Sequence, residues 1–108
     1  MREVSYDEFH QIRESGRPFL LDLYVEKCGP CQQLKPMMSE LANDLQGVEV
    51  FAMDVLKNRK IYHEQGLKTV PTVMFFQSGE ERGRLVGLQE KDTYLAMVNQ
   101  PCLPQAVS

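Results

Sequence analysis

Apolar residues recur along this chain at helical and then at strand spacing, and the two patterns alternate from end to end. Ser5 followed three residues later by Glu8 has the spacing of a capping box, and Tyr6, Phe9 and Ile12 then share one helical face until Gly16 ends the pattern. This predicts a first helix. After Pro18, the run Phe19-Leu20-Leu21-Asp22-Leu23-Tyr24-Val25 is long enough for a strand and too short for a helix, as expected of a strand covered on both faces. Asp22 is its one anomaly.

From Cys31 onward, Leu34, Met37 or Met38, Leu41 and Leu45 repeat at helical spacing up to Gly47, with Pro36 inside the pattern. An interior proline costs about 3 kcal/mol, so a kink is expected there, because the apolar face continues beyond it. Val48 to Met53 predicts a second buried strand, Lys57 to Gln65 a short helix ended by Gly66, and Thr72 to Phe76 a third strand. Gln77-Ser78-Gly79-Glu80 supplies turn residues leading to Arg82 to Val86, which makes an antiparallel hairpin. Glu90 to Asn99, with Tyr94, Leu95 and Val98 on one face, closes the chain as a helix. Alternation of strands and helices points to right-handed parallel crossovers, with the hairpin adding antiparallel strands. The expected class is α/β.

Composition narrows the picture. At 108 residues, 43% hydrophobic and 25% charged, one domain spanning 1–108 is expected, with 100–108 as a frayed tail. The formal net charge of -3, with no basic block, argues against binding nucleic acid. No apolar run approaches the roughly 18 residues a bilayer span needs, and Met1 to His10 is polar, so a cytoplasmic protein without membrane association is expected.

Three cysteines cannot all pair within one chain, but Cys28 and Cys31 stand in a C-x-x-C spacing, which in a reducing compartment signals a redox centre or half of a metal site. Cys28-Gly29-Pro30-Cys31 lies where the apolar strand gives way to a helix. Free backbone N–H groups and the positive end of the helix dipole favour an anion there, and Pro30 suits a first turn in which its missing N–H costs nothing. The dipole contributes roughly 0.3–1 kcal/mol, so hydrogen bonds to sulfur must supply the rest of any thiolate stabilisation. Thiolate is the form that attacks a disulfide. Cys28, ahead of the helix, is the expected nucleophile, and Cys31, inside its first turn, the resolving thiol. A metal centre would need about four ligands, and only Cys102, His63 and His10 could join the pair. Two incidental core cysteines, or a static structural disulfide, would also fit the spacing.

The segment Leu21-Asp22-Leu23-Tyr24-Val25-Glu26-Lys27-Cys28-Gly29-Pro30-Cys31, Pro36 five residues further on, Thr69-Val70-Pro71-Thr72, and Gly79 and Gly87 near the hairpin together resemble the thioredoxin family, over about Ser5 to Asn99. The resemblance implies a thioredoxin fold, a central mixed β-sheet flanked by α-helices on both faces, and reversible dithiol–disulfide exchange that reduces protein disulfides. Asp22 matches the family's buried carboxylate, which moves a proton to or from the resolving thiol, and Pro71 its cis-proline. The backbone of Val70 would pair with an extended client segment as an added strand. Thr69, Thr72, Gly87, Gly29, Pro30 and Lys27 are then expected to line the client site. No metal or organic cofactor is implied. The expected partners are disulfide-containing client proteins and a thioredoxin reductase or similar electron donor, with the protein itself a monomer. A rival reading from another class is a binding or regulatory module on the same fold whose dithiol does not serve general reduction.

Two departures stand out. Lys27 replaces the Trp that usually precedes the first cysteine, which removes apolar contact surface and brings a cation near Cys28. This favours the thiolate and acidic partners. Val50 falls where many members have a Lys near the buried Asp, so Asp22 is expected to be hard to ionise.

Overall fold

The segment from Phe19 to Leu23 offers water nothing but one carboxylate, so it is stable only with cover on both sides. The computed structural model, which describes residues 1–99, places it at the centre of a five-stranded sheet. The elements run β1 (Arg2–Glu3), α1 (Tyr6–Ser15), β2 (Phe19–Tyr24), α2 (Gly29–Asp44), β3 (Glu49–Asp54), α3 (Lys60–Glu64), β4 (Thr72–Gln77), β5 (Glu80–Val86) and α4 (Lys91–Asn99). Strand order is β1-β3-β2-β4-β5. β2 pairs in parallel with β3, from Phe19 opposite Glu49 to Tyr24 opposite Asp54, and antiparallel with β4, from Phe19 opposite Phe76 to Leu23 opposite Thr72. The α/β class and the mixed sheet are as the alternation predicts.

The pleat of β2 divides the core. Phe19, Leu21 and Leu23 join Phe9, Phe51, Ile61 and Phe76 on the face covered by α1 and α3, where the Phe19 and Phe76 rings stack at 5.1 Å. Leu20 joins Leu34, Met38, Leu41, Val73, Phe75 and Tyr94 on the face covered by α2 and α4. Asp22, two residues from Leu20, points toward that second layer.

Local signals explain most boundaries. The Ser5 hydroxyl accepts from Glu8 N–H at 3.2 Å while Ser5 N–H donates to the Glu8 carboxylate at 2.9 Å, and Gly16 closes α1 in the left-handed conformation. The hairpin turn is two residues, with Ser78 and Gly79 both at positive φ, so β5 begins at Glu80 rather than Arg82. α2 runs through Pro36 and starts at Gly29, two residues before the apolar repeat, because Cys28 caps it. α3 starts three residues later than its pattern suggests. The Asp54 carboxylate accepts from Leu56 N–H at 2.9 Å and from Lys57 N–H at 3.4 Å, holding that stretch in a turn. β1 has no counterpart in the apolar pattern: Arg2 and Glu3 are polar and are recruited only by pairing with Phe51 and Ala52 of β3. The predicted tail, including Cys102, lies outside the described residues.

Replacing Ser5 with Ala removes one half of the capping box and should lower the unfolding free energy by about 1 kcal/mol in urea denaturation. An unchanged midpoint would mean that Phe9 and Ile12 hold α1 without the cap.

Candidate active site

Beyond the end of β2 at Tyr24, Cys28 stops the extended chain and caps α2. Its backbone is extended (φ -147°, ψ 111°), its Sγ accepts from Cys31 N–H at 3.2 Å, and its carbonyl accepts from Gln32 N–H at 3.1 Å. Gly29 and Pro30 occupy the first two helical positions, where absent or unpaired N–H groups cost least. Cys28 and Cys31 form a disulfide, their Cα atoms 5.2 Å apart. The two sulfur-bearing residues differ in access: Cys28 is half-buried, whereas Cys31 is 4% exposed and lies on the inward face of α2 with Leu34, Met38 and Leu41. Lys27, Gly29 and Pro30 are exposed beside them.

Asp22 is 2% exposed, and one of its carboxylate oxygens, Oδ1, has no hydrogen-bond partner among the described residues. Burial raises its pKa to about 7; the Lys35 charge opposes that rise and the Glu3 charge adds to it. The carboxyl is hard to ionise, as expected, and the position of Val50, the diagonal neighbour on the same face of β3, carries no cation. Val50 pairs with Leu20, and it is Ala52 that stands beside Asp22 across the β2–β3 ladder. A cation on α2 acts on Asp22. Lys35 lies with its Nζ 5.2 Å from the centre of the Tyr24 ring, and the Tyr24 hydroxyl donates to Glu3 at 2.6 Å. Burial and that bond to Glu3 push the Tyr24 phenol well above its ordinary range.

The Val70–Pro71 peptide is cis, and the Pro71 carbonyl accepts from Gly87 N–H at 2.8 Å. Since β4 runs antiparallel to both β2 and β5, the end of β2, the start of β4 and the end of β5 lie at one edge of the sheet. Residues distant in sequence (Cys28, Pro71 and Gly87) are therefore set at the same end. Thr69 is exposed and Val70 half-buried there. Thr72, expected among the lining residues, is instead buried: its hydroxyl donates to the Thr69 carbonyl at 2.8 Å and so shapes the loop from below. Val86 and Leu88, 47% and 39% exposed, flank Gly87 and were missed. The signal was two apolar residues bracketing a glycine. Among the described residues no three His, Cys, Asp or Glu side chains converge in a way that could hold a metal ion, and no helix is long and apolar enough to cross a membrane.

A disulfide at the first turn of a helix, one cysteine half-buried and the other covered, with an isolated carboxyl on the adjoining strand, defines a thiol–disulfide exchange centre. The comparisons with known proteins agree. The family model described as Thioredoxin matches residues 1–100. A thioredoxin of Rickettsia felis is 37% identical over 91 residues, covering 83% of this chain and 87% of that protein. Among solved structures, a mutant thioredoxin from Halobacterium salinarum superposes with a TM-score of 0.81 at 29% identity, covering 91% of this chain and 88% of the other. Spinach chloroplast thioredoxin f superposes with a TM-score of 0.85 at 26% identity, covering 93% and 91%. The chain belongs to the thioredoxin family, and it is a thiol–disulfide oxidoreductase that reduces protein disulfides.

The raised pKa of Asp22 has a cost in stability. An unfolded aspartate ionises near its ordinary value of 3.8, whereas the folded one stays protonated up to about 7. Between these values the native state binds the extra proton, so stability falls as pH rises through that window, by on the order of 4 kcal/mol once both are ionised. Asp22→Asn should therefore raise the unfolding free energy at pH values above about 7 and change it little near the pH of unfolded-state ionisation. Equal effects at both ends in pH-dependent chemical denaturation would refute the assignment.

Proposed function

We propose that Cys28 is the attacking nucleophile, Cys31 the resolving thiol and Asp22 the proton acceptor for Cys31. The unequal burial of the two cysteines carries this reading, since Cys28 is half-buried and Cys31 almost wholly covered. In the reduced protein, the Cys28 thiolate attacks one sulfur of a client disulfide; a Cys28–client bond forms and the client's other sulfur leaves as thiolate. Asp22 takes the Cys31 proton, and the resulting thiolate attacks Cys28 Sγ. The second client sulfur then departs, and the Cys28–Cys31 disulfide remains, two electrons having passed to the client. An external dithiol donor, a thioredoxin reductase or its equivalent, resets the pair.

Backbone N–H groups at the start of α2 favour the thiolate at Cys28 over the thiol. Pro71, held by Gly87, and the neighbouring Val70 backbone present an edge to which an extended client segment can pair, with Thr69, Gly29, Pro30, Val86 and Leu88 around it and Thr72 supporting the loop. Lys27, exposed next to Cys28, selects clients with acidic residues near their disulfide. The protein works as a single domain over 1–108, as a monomer and in the cytoplasm. A dithiol that serves only to regulate binding has no observation in its favour.

Reduction of insulin disulfides driven by dithiothreitol should be accelerated by the native protein and not by Cys28→Ser, while Cys31→Ser should accumulate a mixed disulfide with the client. Acceleration by Cys28→Ser would overturn the assignment of the nucleophile. For Lys27, the ratio of reduction rates between an acidic and a neutral disulfide peptide should fall in Lys27→Gln and fall with added salt in the native protein. A ratio insensitive to both would remove Lys27 from client selection.

A further inference from the structure

Asp22 needs something to stabilise its ionised form, and the elements around it offer little. From β3 it faces the methyl of Ala52, and from β4 the apolar Val73. Its Oδ1 has no partner among the described residues. Asp54 of β3 is buried but accepts backbone N–H groups from its own turn, and Tyr94 of α4 donates its hydroxyl to the Gly87 carbonyl at 3.3 Å. Glu3 of β1 is a like charge, held by Tyr24. Lys57 pairs with Glu26 at 3.8 Å.

Lys35 is differently placed. It follows Leu34, which is fully buried on the inward face of α2, so it stands at the rim of that face rather than opposite it. Strand periodicity puts Asp22 and Tyr24 on the same side of β2, and Lys35 rests its ammonium over the Tyr24 ring. The phenol is fixed in turn by its bond to Glu3. Among the described residues no carboxylate is in ion-pair contact with Lys35, so its charge is not cancelled locally.

We propose that Lys35, seated on the Tyr24 ring, is a positioning residue that supplies the counter-charge for ionised Asp22, from α2 rather than from the neighbouring strand. It touches neither sulfur and acts only through the carboxylate. Tyr24 seats the ammonium on the face of β2 that it shares with Asp22, and Glu3 opposes the effect by drawing the carboxyl back toward its protonated form, in line with the direction each charge exerts on Asp22. The proposal rests on Asp22 being the proton acceptor of the proposed mechanism; the charge coupling itself is measurable without turnover.

The test is an NMR titration of the Asp22 carboxyl carbon in the disulfide form, where neither active-site sulfur titrates. Lys35→Met should move the midpoint upward by on the order of half a pH unit, Lys35→Arg should restore it, and Glu3→Gln should move it downward. Lys60→Met, a charge removal on α3 over the Tyr6 ring, serves as the control and should leave it unchanged. The pH dependence of insulin reduction should shift upward in Lys35→Met and return in Lys35→Arg. A Lys35→Met midpoint no different from that of Lys60→Met, or Lys35→Arg behaving like Lys35→Met, would overturn the proposal. If the midpoints move as expected but Asp22→Asn reduces insulin at the native rate, the coupling stands and the role of Asp22 as proton acceptor falls.

Discussion

β2 is hydrogen-bonded along both edges and packed with apolar contacts on both faces, and the rest of the site is located by it. Its parallel pairing with β3 and antiparallel pairing with β4 fix where the chain leaves the sheet at Tyr24 and where β4 enters it at Thr72. Both events fall at one edge, so the loop to Cys28 and the cis peptide at Pro71 need no further device to be placed there. The stacking of Phe19 on Phe76 anchors the opposite end of the same pair of strands.

That same centrality creates the tension at Asp22. A strand covered on both faces is a poor place for a carboxylate, and the unpartnered Oδ1 shows that the surrounding strands do not compensate for it with a donor. A leucine would pack the position better. The carboxyl is kept protonated at moderate pH by its surroundings, which is the condition under which a small change in local charge can make it give up or take a proton.

How much of this was legible follows from how local each signal is. The Ser5–Glu8 box, the Phe19 to Tyr24 run and the Ser78-Gly79 turn carry their instructions within a few residues, and the structure reproduces them closely. The position of Cys28 ahead of the helix and Cys31 within it was legible for the same reason. β1 was not, because Arg2 and Glu3 have no strand character apart from the edge of β3. Lys35 escaped notice because a lysine beside an inward-facing leucine looks like ordinary helix surface until Tyr24 and Asp22 are known to share a face. Pro71 and Gly87 were legible as members of a family pattern, and their shared hydrogen bond was not.

The covering of Cys31 has a consequence for the order of events over a whole cycle. With Cys31 buried on the inward face of α2 and Cys28 as the proposed nucleophile, the molecule would have a single doorway, at Cys28, through which electrons both arrive and depart. Donor and client could then not be served at the same time. On that assignment they would dock in alternation on the same edge, turnover would proceed by double displacement, and a client at high concentration would compete with whatever donor recharges its reductant.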